Sequence, residues 1–294
     1  MGIKHIVFSG GGPMAISVFG LLQHLETQKY WNLNEIESIY GTSAGGMLGL
    51  ILCLKFEWEI INTYFVKRPW HEAFPIKATH FLNAFTNKGI LDHMCFETFF
   101  KPLFDAKNIS LSITMYELFI LTNIDLHLFS LEINNYILCD ISHKTHPELP
   151  VLKAIHMTSA IPMLFTPVCV DDKCFIDGGI LNNYPLKNCI QAHPNVDEIM
   201  GFKNNYTEND MNSKINPSSN LFEFCMYICS QVLTDVNNKF IESIPNEIEC
   251  PAEMLSIDYF KKTLESESYR KDLLELGINT AIKYLETKQK PDKL

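Results

Sequence analysis

The sequence predicts a layered α/β fold with a parallel sheet, carried by one domain. Two observations predict it. A strand, a turn of small residues and a helix follow one another twice before about residue 55, which is the unit from which parallel sheets are assembled. The 294 residues also contain no linker rich in Pro, Gly or Ser that would divide them, and the chain is long enough for one large domain or two small ones.

Taken in order, Ile3–Ser9 reads as a buried strand. Residues 13–28 read as a helix, because Ile16, Phe19, Leu22 and Leu25 lie close to a helical stripe and Pro13 suits a first turn, where its missing N–H costs little. Residues 36–40 form a second strand, and "AGGMLGLILCL" an apolar helix. The stretch from about 56 to 108 is helical and aromatic, broken at Pro69, Pro75 and Gly89. "LHLFSLEIN" and "YILCDIS" are later strands, "PVLKAIHMTSA" a helix ending at Pro162, and "CFIDGG" and "VDEIMGF" short strands. Residues 220–244 carry a helical stripe through Leu221, Cys225, Ile228, Val232 and Val236.

Chemistry concentrates at the two small-residue turns. Gly41-Thr42-Ser43-Ala44-Gly45 is G-x-S-x-G between a strand and a helix, the context in which glycines permit a sharp turn that exposes a serine hydroxyl at the top of a sheet. The bland reading makes Ser43 a helix cap. A hydroxyl nucleophile needs a base. His193, the only histidine beyond residue 156, stands in the loop-like "QAHPNVDE", where a solvated side chain is the ordinary outcome. Asp177 in "FIDGGILNNYP" is the better candidate: it follows a short apolar strand, Gly178 and Gly179 let the chain turn beside it, and burial can make a carboxylate an adequate base. Alone, Asp-Gly also reads as a simple turn.

Gly10-x-Gly12-x-x-Ala15 fits the dinucleotide fingerprint. The second strand, however, ends in Gly41-Thr42-Ser43 rather than in an acid that would grip a ribose. Gly10, Gly11 and Gly12 are therefore read as backbone donors to the oxyanion of an acyl-transfer intermediate.

Four blocks, "SGGGPMA" at 9–15, "GTSAGG" at 41–46, "TSAIP" at 158–162 and "DGGILNNYP" at 177–185, resemble the patatin-like phospholipase family in order and spacing over about residues 3–200. The resemblance implies a three-layer α/β/α sandwich with a mainly parallel central sheet. It implies lipid acyl-ester hydrolysis by a Ser–Asp dyad, with Ser43 as nucleophile, Asp177 as base, Gly10–Gly12 as oxyanion loop, Gly41 and Gly45 framing the elbow, and no metal or other cofactor. On this basis residues 1–205 are expected to form the catalytic core, with the helical insertion at about 56–108, and residues 206–294 a mainly helical extension packed on it. One departure stands out: Met14 and Ala15 occupy positions where the family usually has Arg or Lys and then Gly.

The remaining features bound partners and location. A net charge of −10 argues against nucleic acid, so the expected partners are a lipid substrate and, transiently, a membrane or micelle surface. No secretory leader is expected, because the first apolar run meets glycines by residue 10, and no run of about 18 apolar residues is read. Nine scattered cysteines without paired C-x-x-C spacing read as reduced thiols of an intracellular, cytoplasmic or peripherally membrane-associated protein. A phospholipase A-type hydrolase is the leading reading. A neutral-lipid lipase, an acyltransferase, a silent lipid-binding module and a dinucleotide-binding protein are the alternatives. Finally, Phe96, Phe99, Phe100, Leu103 and Phe104 fall on one helical face, interrupted at Pro102. They form either a core helix or a movable cover over the acyl channel.

Overall fold

The computed structural model describes residues 2–206, 215–238 and 242–289. Its strands are β1 (His5–Phe8), β2 (Ser38–Thr42), β3 (Gly89–Leu91), β4 (Asp125–Glu132), β5 (Ile137–Ile141), β6 (Met163–Phe165), β7 (Val168–Val170), β8 (Lys173–Asp177), β9 (Ile199–Tyr206) and β10 (Asn246–Ala252). The central sheet runs β10-β9-β1-β2-β4-β8-β7, with β5 also paired to β4. From β10 to β4 every pairing is parallel, while β5, β8 and β7 run antiparallel to their neighbours. β3 and β6 form a separate parallel pair that ties the insertion to the segment after Pro162.

The helices are α1 (Ala15–Thr27), α2 (Ala44–Cys53), α3 (Trp58–Lys67), α4 (Trp70–Ala73), α5 (Ala78–Asn87), α6 (Met94–Ala106), α7 (Met115–Thr122), α8 (Val151–Ser159), α9 (Gly179–Asn182), α10 (Leu186–Ala192), α11 (Leu221–Asn238), α12 (Ile257–Glu265) and α13 (Glu267–Gln289). Buried on both faces, β1 and β2 alternate between two cores. Ile6, Phe8 and Ile39 face the larger core with α1, α2, α6 and α8, whereas Val7 and Tyr40 face a smaller one with Tyr184, Leu186 and Cys189. This is the expected helix–sheet–helix layering. Pro13 lies in a 3₁₀ turn, Gly12–Met14, that leads directly into α1.

α13 lies close against α1. A Cβ on Gly20 would strike the Leu274 carbonyl, and one on Gly277 the Ser17 carbonyl, so these glycines set the approach of the two helices. At the start of α13 the buried Arg270 guanidinium donates to the carbonyls of Val66, Arg68, Thr263 and Leu264 at 2.7–3.2 Å. It thereby satisfies the C-terminal carbonyls of α3 and α12, which have no intrahelical partner.

One expectation changes and others are made specific. Cys169 and Cys174 face each other across the β7–β8 hairpin and form a disulfide, so the thiols are not all reduced. The C-terminal stretch, read as helical, also contributes the edge strand β10. The Phe96–Phe104 stripe is a core face, with all five apolar side chains buried in the main cluster. The helix expected over 220–244 runs as α11 to Asn238, and residues 239–241 lie outside the described residues.

Candidate active site

Sheet register brings the two principal candidates level. Thr42 pairs with Phe129, and the next residue of β4, Ser130, pairs with Asp177 across the antiparallel β8. Asp177 thus stands opposite the turn that follows Thr42. β1 ends one step earlier, with Phe8 beside Gly41, so the glycine loop reaches the same end of the sheet.

Ser43 sits at the N-cap of α2 with φ 56° and ψ −127°. A non-glycine residue in that region stores backbone energy unless its surroundings fix it. The surroundings here are tight. A Cβ on Gly41 would lie 2.6 Å from the Gly45 carbonyl oxygen, and one on Gly45 would lie 2.7 Å from Phe8 Cβ. The Ser43 N–H donates to Thr158 Oγ1 at 3.0 Å, and the Thr158 hydroxyl donates to the Phe129 carbonyl at 2.5 Å. A side chain from "TSAIP" therefore pins the elbow to β4. The hydroxyl of Ser43 is not used as a helix cap.

Asp177 is completely buried. Its N–H donates to Ala160 O at 3.0 Å, and its Oδ1 accepts the Gly179 N–H at 2.7 Å. Among the described residues Oδ2 has no hydrogen-bond partner. Burial pushes the carboxyl up to about 7, against the Ser43 hydroxyl and the Gly179 N–H, both of which favour the carboxylate. The Ser43 hydroxyl thus acts on the carboxyl without completing a hydrogen bond to Oδ2. Such looseness is common before substrate arrives.

The glycine loop divides its work. The Gly10 N–H donates to Asn183 O at 3.0 Å, and Gly10 O accepts from Asn183 Nδ2 at 3.0 Å and Asn204 Nδ2 at 2.6 Å. Gly10 is therefore an anchor, its donor already committed, which corrects its expected place among the oxyanion donors. A Cβ there would come within 3.0 Å of Ser43 Cβ, so only glycine lets the loop lie against the serine. Gly12 takes φ +55°. Among the described residues the Gly11 and Gly12 N–H groups have no acceptor.

Two cavities meet at Ser43. A cleft of about 20 Å³ is lined by the polar groups of Gly10–Gly12, Ser43, Asp177 and Asn183 from the core and of Tyr206, Ser230, Thr234 and Glu253 from the C-terminal part, together with the apolar Ile161, Leu233 and Leu255. That is room for about one water. On the other side an apolar cavity of about 110 Å³ runs past Met47, Ile51, Phe96, Phe99, Phe165 and Phe260. Phe96 and Phe99 are thus core residues that also wall this cavity. Met14 points away into the main core, 2% exposed, while Ala15 lines the apolar cavity. The cation usual in the family has no counterpart aimed at the loop from this position.

His193 belongs to the opposite end of the sheet. It stacks on His5 with ring centroids 3.6 Å apart, and its Nε2 lies 3.3 Å from Tyr40 Oη and 3.4 Å from Ser38 Oγ, at the start of β2 rather than its end. It is half-buried rather than solvated, and burial lowers its pKa. Among the described residues no histidine lines either cavity, and no three His, Cys, Asp or Glu side chains converge as a metal would require. Residue-by-residue reading missed Thr158 and Asn183, although both lie in the quoted blocks. Asn204, on β9, carried no signal.

The patatin-like phospholipase family model matches residues 6–190, nearly two-thirds of the chain. The chain belongs to this family. It is 27% identical over 194 residues to a probable lipid hydrolase, 463L, of Invertebrate iridescent virus 6, covering 65% of this chain and 64% of that relative. It is 22% identical over 290 residues to an uncharacterized protein, R571, of Acanthamoeba polyphaga mimivirus, covering 95% and 92%. Among solved structures, VipD from Legionella pneumophila is similar in fold, with a TM-score of 0.56 at 16% identity over 98% of this chain and 67% of that one.

Proposed function

We propose that this protein is a phospholipase A-type serine esterase that cleaves fatty acyl esters through a Ser43–Asp177 dyad. The observation that carries the reading is a fully buried carboxyl with an unpartnered oxygen, beside a backbone-strained serine, at the junction of a polar cleft and an apolar cavity. Family membership supports lipid hydrolysis in general.

With the acyl chain in the apolar cavity, Oδ2 of Asp177 takes the proton as Ser43 Oγ attacks the carbonyl carbon. The oxyanion lies against the Gly11 and Gly12 N–H groups and the N-terminus of α2, each well-placed donor contributing about 3–4 kcal/mol. Collapse breaks the ester bond, and Asp177 returns the proton to the departing alcohol, leaving acyl-Ser43. Water then attacks the acyl-enzyme with Asp177 again as base, and the fatty acid leaves. A base with a pKa near 7 suits this cycle at neutral pH.

The polar cleft is lined by Glu253 and, among the described residues, by no Lys or Arg. That lining offers no cation to pair with an anionic headgroup. The test is release of fatty acid from phosphatidylcholine in mixed micelles, followed by mass spectrometry. Ser43→Ala and Asp177→Asn each abolish release, and the double variant is no worse than either alone because the two act as one unit. Retained release in Ser43→Ala overturns the proposal.

A further inference from the structure

Two neighbouring helices carry their apolar side chains on the wrong side for a protein surrounded by water. On α5, Leu82 and Phe85 are 74% and 80% exposed. On α11, Leu221, Phe224 and Ile228 are 59%, 45% and 45% exposed. The spacings, i and i+3 on one helix and i, i+3 and i+7 on the other, place each set on a single face. On the inner side of α11, Met226 packs into the main core, and Ser230, Leu233 and Thr234 line the cleft that holds Ser43 and Asp177. The two helices touch through Phe81 and Phe222, whose ring centroids are 5.2 Å apart. The outward-facing residues flank that contact.

We propose that this α5–α11 face docks on a zwitterionic lipid surface and delivers lipid to the cleft behind it. The proposal rests on the lipid-hydrolase reading. Continuity argues for a lipid occupant: one helix forms both the wall of the cleft and the exposed apolar face, so a lipid lifted from the docked surface has only the thickness of α11 to pass. Charge argues for the lipid type. Residues 78–87 contain no Asp, Glu, Lys or Arg, with Lys77 and Lys88 capping the two ends of α5, residues 221–238 contain only Glu223 and Asp235, and the whole chain carries −10. Two lysines and two carboxylates leave the face itself near neutral, so insertion is apolar, and the net charge of −10 opposes an anionic surface. Five exposed apolar side chains in one region also exceed the scattered singles ordinary on a soluble surface.

The test uses the full chain and sedimentation with vesicles of diether phosphatidylcholine, which has no acyl ester to cleave. The wild type co-sediments. The double variant Phe85→Ser/Phe224→Ser, whose residues line neither cavity, binds at least about tenfold more weakly, while its hydrolysis of a soluble short-chain ester is unchanged. If the double variant fails to fold, the single Phe85→Ser at the most exposed position makes the same comparison. A wild type that does not bind these vesicles, or a variant that binds as well as wild type, overturns the proposal. So does a wild-type dimer that the variant dissociates without a change in vesicle binding, because a second copy then covers the face. Loss of the soluble-ester reaction in the wild type itself refutes the esterase reading and leaves the vesicle result to judge the surface.

Discussion

Asp177→Asn is expected to raise stability while removing activity, and the two effects have the same origin. In an unfolded chain the carboxyl titrates near its ordinary 3.8, and in the fold burial moves it to about 7. Between those values the folded state holds a proton that the unfolded state has released, so stability falls as pH rises through that window. At about 1.36 kcal/mol per decade, the gap from 3.8 to about 7 corresponds to a penalty of about 4 kcal/mol at pH 8, an upper bound in order-of-magnitude terms. Asparagine has the same outline, keeps an oxygen for the Gly179 N–H, and never charges. Its amide takes the place of the unpartnered Oδ2, and if Ser43 Oγ does not accept from it, about 1–3 kcal/mol of the gain is lost. The expected net gain is therefore about 1–4 kcal/mol at pH 8, shrinking toward zero or below at pH 4, where the wild-type carboxyl is protonated too. Urea denaturation of both proteins across that range measures it. Taking the difference cancels groups they share, such as His127, whose charge burial opposes but which Asp125 and Asp140 push up to about 9. A gap between the two proteins that does not change with pH refutes the buried-base argument even if the variant is inactive.

The other predictions concern the same framework. In wild type, kcat/KM for a soluble ester rises with pH and levels off above an apparent pKa near 7, as Asp177 loses its proton; a flat profile from pH 5 to 8 removes Asp177 as the base. Thr158→Val leaves the Ser43 N–H and Phe129 O without their shared hydroxyl, so kcat falls more than KM changes and about 1–3 kcal/mol of stability is lost, whereas Thr158→Ser retains both. Arg270→Met strips the carbonyls of Val66, Thr263 and Leu264 of their donor and costs about 3 kcal/mol or more in chemical denaturation, with KM rising as α12 loosens around the apolar cavity. His193→Ala keeps most esterase activity, because the ring lies at the far end of β2 against His5 and Tyr40; a variant as inactive as Ser43→Ala reopens the case for a histidine base.

What the sequence disclosed depended on whether one residue type had one physical use. Gly41, Ser43 and Gly45 were legible because a nucleophile turn between a parallel strand and a helix demands those types at that spacing, and the backbone at Ser43 takes the strained conformation the turn requires. Gly10 was legible as a residue but not as a role. Its need for glycine comes from contact with Ser43 Cβ, whereas its N–H is committed by Asn183, 173 positions away, a pairing no local pattern reports. The same limit explains Asn204, which enters through β9, and β10, which short periodicity did not separate from helix.

Apolar stripes were harder, since a helical period states that a face is buried without stating against what. Phe96, Phe99 and Phe104 read as either core or cover, and burial decides for the core, even though two residues of that face also wall the acyl cavity. The stripe on α11 read as helical, with no side assigned to it. In the fold the inward positions belong to Met226, Ser230 and Thr234, and Leu221, Phe224 and Ile228 point out. Leu233 lines the cleft beside Ser230 and Thr234, so this helix carries apolar residues on both sides. Leu221, Phe224 and Ile228 are the set left for whatever lies outside. The hydrophobic pattern is thus ambiguous at the wall of the site itself, where local rules are expected to yield to chemistry.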